Sequence, residues 1–128
     1  MRLLLDTHAF LWWLIDSPRL SDSARQAIAI ETNEVLVSAA TAWEIATKRR
    51  LGKLPGVEPV ALDIAGTIAS QNFVQLPITV TDAARAGALP GPQRDPFDRM
   101  LVAQALSGNL ALVSIDSAMD QYGVRRLW

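Results

Sequence analysis

The chain has 128 residues, half of them apolar and a fifth charged, which is enough for one sizeable core, too short for two ordinary domains and too apolar for a disordered chain. It contains no cysteine, so disulfides, thiolate metal sites and cysteine nucleophiles are excluded. A net charge of -1 argues against a broadly basic protein that coats nucleic acid.

In chain order, Leu3-Leu4-Leu5 predicts a short buried strand over 3–6, closed where polar Asp6 and Thr7 begin. A first helix over 7–15 follows, with Pro18 beyond its exit, and Ser21-Asp22-Ser23 caps a second that runs to residue 31. A second strand covers 34–37 with Ser38 at its end. The next helix covers 41–50 and is stopped by Gly52. A helix over 59–70 presents Ala61, Ile64, Ala65 and Ile68 on one apolar face. Residues 73–76 predict a third strand closed by Pro77, and 81–88 a small helix capped by Thr81 or Asp82. The loop Leu89-Pro90-Gly91-Pro92-Gln93 is rigid. Asp95 or Pro96 then opens a largely buried helix carrying Met100, Leu101, Ala103, Ala105 and Leu106, ended by Gly108. Strands over 110–115 and 124–127 close the chain, with a short helical turn between them.

This alternation predicts an α/β fold of three layers, helices covering both faces of a central, mainly parallel five-stranded sheet, as one domain over 1–128. The opening Met1-Arg2-Leu3-Leu4-Leu5 has the look of a signal peptide, but Asp6 interrupts it and no small-residue cleavage site follows at once. The apolar stretch 8–15 is far too short to span a membrane. A soluble cytoplasmic protein without a membrane partner is therefore expected.

The acidic residues stand at the ends of apolar segments. Asp6 follows the first strand, Asp116 follows the fourth, Glu44 lies between Trp43 and Ile45, and Asp98 opens a buried helix. Four carboxylates at such places are costly to desolvate unless a cation binds them. Mg²⁺ or Mn²⁺ takes hard oxygen ligands, and one or two such ions meet the needs of phosphodiester hydrolysis. Asp6, Glu44, Asp98 and Asp116 are thus candidate ligands, with Asp95, three residues before Asp98, as a further ligand or water-orienting group. Each acid taken singly has an ordinary structural use: Asp6 and Asp116 can cap helices, and Asp98 suits a first helical turn. Lys48, Arg49, Arg50 and Lys53 cluster after Glu44, and Arg94 and Arg99 flank the acids of the late helix. Lys48, Arg49, Arg50 and Arg99 are candidate phosphate contacts; a solvated helix end explains the first cluster equally.

The phrases Leu4-Leu5-Asp6-Thr7-His8, Ala42-Trp43-Glu44-Ile45, Asp95-Pro96-Phe97-Asp98-Arg99-Met100-Leu101 and Val113-Ser114-Ile115-Asp116 resemble those of PIN-domain ribonucleases. The nearest branch is the VapC-like toxins of bacterial type II toxin–antitoxin pairs. The resemblance covers essentially the whole chain, in order and at fitting intervals. It implies a PIN-like five-stranded parallel sheet and a Mg²⁺- or Mn²⁺-dependent endoribonuclease that leaves a 5′-phosphate and a 3′-hydroxyl. The implied substrate is structured RNA of the transfer or ribosomal class. The family's four acids fall on Asp6, Glu44, Asp98 and Asp116, and Asp95 matches an additional acid of this branch. The resemblance also implies a cognate antitoxin whose tail enters an apolar groove, and a homodimer.

One departure stands out: the branch often has histidine two residues before Asp-Pro-Phe-Asp, and this chain has Gln93. Glutamine can hydrogen-bond phosphate or base but cannot donate a proton near neutral pH. Ser114 stands where threonine is frequent; Ser114 and Thr7 are expected to support the site by hydrogen bonds. Ser38 is either a further support or the cap of the third helix. His8, the only histidine, is read either as a contact to phosphate or to a carboxylate behind the metal ligands or, by preference, as capping or packing near a helix start. Trp12 and Trp13 are adjacent and cannot share one helix face, and Trp43 is expected to pack. Two other classes compete with the nuclease. A noncatalytic RNA- or protein-binding module would have no need of four costly carboxylates. A phosphoryl-transfer enzyme with Asp6 as nucleophile would want an acid/base or phosphate-binding lysine near Asp6, and none is evident.

Overall fold

A computed structural model describes residues 1–91 and 93–128. Among them, β1 (Arg2–Leu5), β2 (Glu34–Ser38), β3 (Val74–Leu76), β4 (Ala111–Val113) and β5 (Arg125–Leu127) form one sheet in the order β3-β2-β1-β4-β5. Every pairing is parallel; Leu4, for example, lies between Leu36 of β2 and Leu112 of β4. The α-helices are α1 (Thr7–Leu14), α2 (Asp22–Ala29), α3 (Ala39–Arg50), α4 (Ile64–Ser70), α5 (Val80–Ala88) and α6 (Pro96–Gly108), with 3₁₀ segments at Glu58–Leu62 and Ser117–Tyr122.

The uninterrupted Leu3-Leu4-Leu5 and Leu112-Val113 runs follow from burial on both faces of a parallel sheet. Because side chains alternate along a strand, Leu3 and Leu5 join Val35, Val37 and Val113 on one face. That face is covered by Phe10 of α1 and by Ala24 and Ile28 of α2. Leu4, Leu36 and Leu112 point the other way, against Leu101, Val102 and Ala105 of α6. The expected three layers are thus present. From β1 the chain builds outward through β2 to β3, then crosses back to place β4 on the other side of β1. Strand order reverses at β1, and ligands bind beyond the carboxyl ends at such a point.

Several local boundaries depart from the sequence reading. The helix expected over 59–70 is broken: Asp63 leaves helical geometry at φ -152° and its Oδ1 accepts the Gly66 N–H at 2.9 Å, capping α4. Helix α3 begins at Ala39, not residue 41, because Ser38 Oγ accepts the Ala40 N–H at 3.0 Å. The cap of α5 is Thr79, neither Thr81 nor Asp82; Asp82 closes the capping box by accepting the Thr79 N–H at 3.1 Å. β4 is three residues long, where the apolar run had predicted six positions, since Ser114 already turns toward Asp116. In the loop expected to be rigid at 89–93, Pro92 lies outside the described residues. Among the described residues no helix is long and apolar enough to cross a membrane.

Candidate active site

Five acids from four separate stretches of chain line one cleft of about 420 Å³: Asp6, Glu44, Asp95, Asp98 and Asp116. Asp6 and Asp116 follow β1 and β4 directly or at short distance, while Glu44 and Asp98 come from α3 and α6. The local rule that places three of them is the same. Asp6 Oδ1 accepts the Ala9 N–H at 2.8 Å, Asp95 Oδ1 the Phe97 N–H at 2.8 Å, and Asp116 Oδ1 the Ala118 N–H at 3.0 Å. Each aspartate is a helix cap that fixes its carboxyl group with one oxygen and keeps the second for other partners.

Glu44 is held differently. Its side chain is 9% exposed, and its oxygens are met by Thr7 and Lys48. Thr7 Oγ1 donates to Glu44 Oε1 at 2.6 Å and stands 3.2 Å from Thr41 Oγ1. Lys48 Nζ lies 2.7 Å from Glu44 Oε2, one helical turn on. Ser114 Oγ accepts the Asp116 N–H at 3.1 Å, and its hydroxyl also favours the charged form of the Asp6 carboxyl.

The acids feel one another. Burial first, then the charges of Asp95, Glu44, Asp6 and Asp116, push Asp98 up to about 7. Burial also raises Asp6, against the lowering effects of the Ala9 amide and the Ser114 hydroxyl. Among the described residues no three His, Asp or Glu side chains converge closely enough to grip a metal ion as they stand. The arrangement is a field of mutually repelling carboxylates around a cleft, with Glu44 neutralised from within by Lys48.

The other candidates divide sharply. Gln93 Nε2 reaches Asp98 Oδ2 at 3.4 Å, at the outer limit of a hydrogen bond. Lys48 faces the cleft, whereas Arg49 and Arg50 do not line it and are exposed. Ser38 turns from the cleft to Gln104 Oε1 at 2.5 Å. Arg99 is spent on the backbone: Nε bonds Ala86 O at 3.0 Å, Nη1 bonds Gln93 O at 2.8 Å, and Nη2 bonds Leu89 O. It lines a separate apolar hollow with Trp43 and Phe97. Its expected use as a phosphate contact has no support in this arrangement, because its donors already bind the segment joining α5 to α6. Arg99→Met is accordingly expected to destabilise the protein by about 2–3 kcal/mol, the worth of charge-assisted hydrogen bonds plus the carbonyls left behind. A urea denaturation curve checks this.

Some neighbours were given no role at the site by sequence. Lys53 lines the cleft because the turn at Gly52, φ +70°, folds it back so that its N–H bonds Lys48 O at 2.8 Å. Gly52 was read only as a helix stop. Arg126 clamps Ser114 O at 3.1 Å and Asp120 Oδ1 at 2.9 Å, steadying the strand end that leads to Asp116; nothing local in the sequence announces it. His8 is not the helix cap, a role Asp6 takes. It is exposed on the cleft, its ring 5.4 Å from that of Trp12. Trp12 and Trp13 are both half-buried against the same core, Trp12 beside Trp128 and Trp13 donating to Gln71 Oε1 at 3.0 Å. Trp43 packs edge-on against Phe97 yet stays 60% exposed.

Comparison with known proteins adds an independent line. The PIN domain family matches residues 3–124. The ribonuclease VapC22 of Mycobacterium tuberculosis is 34% identical over 120 residues, covering 93% of this chain and 90% of its own. Among solved structures, VapBC2 from Rickettsia felis, bound to a DNA fragment from its promoter, superposes with a TM-score of 0.69 at 14% identity, covering 95% of this chain and 93% of that one. VapC20 of Mycobacterium tuberculosis, a toxin that cleaves the sarcin-ricin loop, gives 0.69 at 16% identity and covers 95% of each chain. At those identities the two structures establish likeness of fold.

Proposed function

The chain belongs to the PIN domain family, and we propose that it is a Mg²⁺- or Mn²⁺-dependent endoribonuclease, the toxin of a pair whose antitoxin restrains it. One observation carries this reading: five carboxylates far apart in sequence line a single cleft beyond the carboxyl ends of β1 and β4. The donor set fits a hard divalent cation, since it offers carboxylate oxygens and no sulfur. The rise of Asp98 to about 7 is a further sign of fit, because the same repulsion is relieved by a bound cation.

Asp6, Glu44, Asp98 and Asp116 would hold the ion, and Asp95, fixed as the cap of α6, would keep an oxygen for orienting the attacking water. When bound, the ion supplies charge neutralisation at the scissile phosphate and acidifies that water. Thr7 fixes Glu44, and Ser114 holds the Asp116 amide. Lys48 and Lys53, on the same cleft, offer positive charge to an RNA backbone that must approach acids. Gln93, beside Asp98, would hydrogen-bond phosphate or base. The substrate in this reading is a structured RNA of the transfer or ribosomal class, in the cytoplasm. The VapBC likeness supports an antitoxin partner. Trp43, 60% exposed, and Val80, 88% exposed, supply apolar area for that partner or for a homodimer.

Purified protein, freed of antitoxin and shown folded, is incubated with total cellular RNA in Mg²⁺, Mn²⁺ or EDTA. Discrete fragments that require the metal are expected, and their ends give the substrate. Intact RNA with unchanged thermal stability in either metal would overturn the reading in favour of a noncatalytic binding module.

A further inference from the structure

The chain has only two lysines, Lys48 and Lys53, and both line the carboxylate cleft. Every other basic residue apart from His8 is arginine. Lysine carries a compact ammonium on a flexible stem, whereas arginine carries a rigid planar fork. A site that needs a cation able to move would use lysine.

The two lysines are not equivalent. Among the described residues Lys53 makes no ion pair, while Lys48 Nζ sits 2.7 Å from Glu44 Oε2. That pair differs from an ordinary helical i,i+4 pair, which is solvated on both sides and contributes little. Here the carboxylate is 9% exposed and the lysine side chain 32%. A buried carboxylate without a counter-charge is strongly destabilising. Thr7 supplies one hydrogen bond to Oε1, and Lys48 supplies the charge at Oε2. At 2.7 Å the ammonium occupies one acceptor site of that oxygen and repels any divalent ion approaching it.

We propose that Lys48 is an internal counter-ion that occupies Glu44 in the metal-free protein and must vacate it before a divalent cation binds. The proposal rests on the metal-dependent reading above. It makes metal affinity a difference between two cations competing for one carboxylate oxygen. It also assigns the chain a device that keeps Glu44 desolvated yet neutralised until metal arrives. The displaced ammonium swings out toward the solvent side of the cleft.

Two measurements on the whole protein test it, neither of which uses activity. Isothermal titration with Mn²⁺ is expected to give Lys48→Met a dissociation constant at least about threefold below that of the wild type. The effect stays modest because a partly exposed ammonium is screened by water. Lys48→Arg, which keeps the charge, should remain on the weak side. Amine labelling read by mass spectrometry should find Lys48 more reactive once Mn²⁺ is added, relative to Lys53. If Lys48 merely propped Glu44 in place, the methionine variant would bind Mn²⁺ more weakly. A weaker or equal affinity in a variant whose thermal unfolding stays cooperative overturns the proposal and leaves the nuclease reading standing. Absence of Mn²⁺ binding in both wild type and Lys48→Met removes the metal reading and this proposal with it.

Discussion

Asp98→Asn is expected to lower metal-dependent RNA cleavage by about 10²- to 10³-fold, the scale of losing one preorganised charge-stabilising group, without unfolding the protein. Asparagine has nearly the same shape, and the backbone bond from the Asp98 N–H to Asp95 Oδ1, 3.2 Å, does not depend on the Asp98 side chain. What disappears is a negative charge that Asp95, Glu44, Asp6 and Asp116 already oppose. The same substitution therefore separates activity from stability. In the folded protein Asp98 holds its proton up to about pH 7, against 3.8 in an unperturbed carboxyl. Between those values the folded state binds more protons than the unfolded one, so the contribution of this group to stability is full at low pH and is lost as pH rises from 3.8 to about 7. Metal-free Asp98→Asn should consequently melt above the wild type at pH 8, and the gap should close near pH 4. Cleavage assays in Mn²⁺ and melting curves in EDTA at the two pH values check both halves. A variant that cleaves at the wild-type rate would remove Asp98 from the site.

Phe10→Ala should be the most damaging single change to the fold. Phe10 is fully buried, packs 6.4 Å ring to ring from Phe73, and joins α1 to the β1–β2 face of the sheet. Deleting a buried phenyl ring costs about 3–5 kcal/mol, against about 5–15 kcal/mol for the stability of a whole domain. A fall in Tm on the order of 10 °C or more is expected by calorimetry. The effect should reach the cleft, because Phe10 N–H bonds Asp6 O at 3.0 Å and α1 orients the Asp6 carboxyl through its cap. Mn²⁺ affinity of the variant, measured below its transition, should fall as well. Unchanged affinity in a destabilised variant would mean that the Ala9 amide is enough to hold the Asp6 carboxyl.

Much of this was legible in the sequence, for reasons that differ by residue. Strands β1 and β4 are apolar on both faces, so their runs of leucine and valine announce central parallel strands, and the polar residue after each run marks the end where a ligand can sit. Glu44 was conspicuous because no helix-end role accounts for it. Lys48 could be seen as its i,i+4 neighbour, but the burial of the glutamate, which changes the meaning of the pair, is a tertiary fact. Arg99 and Ser38 illustrate the limit. An arginine beside acids and a serine at a strand end have many uses, and only packing decides that one binds carbonyls of the α5–α6 connection and the other binds Gln104. Asp63 was passed over because its apolar neighbours kept a helical rhythm across it, although its side chain caps the Gly66 amide and breaks the helix. Gly52 was read as a stop signal; that its turn also delivers Lys53 to the cleft depends on geometry that periodicity does not encode.

The distribution of the acids along the chain carries a consequence for synthesis. Asp6 leaves the ribosome before the other acids of the cleft, and its neighbour across the sheet, β4, follows Asp98. β1 is central, so until β4 arrives it has a partner on one side only, and long-range pairings of this kind form late. A nascent chain therefore holds Asp6 and Glu44 without Asp98 until translation reaches residue 98, and without Asp116 for longer. A polypeptide abandoned partway, by a stalled ribosome or a broken message, is born without a working centre. If the protein is toxic to its host, harm begins only after β4 and Asp116 have been made, when any restraining partner made beside it can already be waiting.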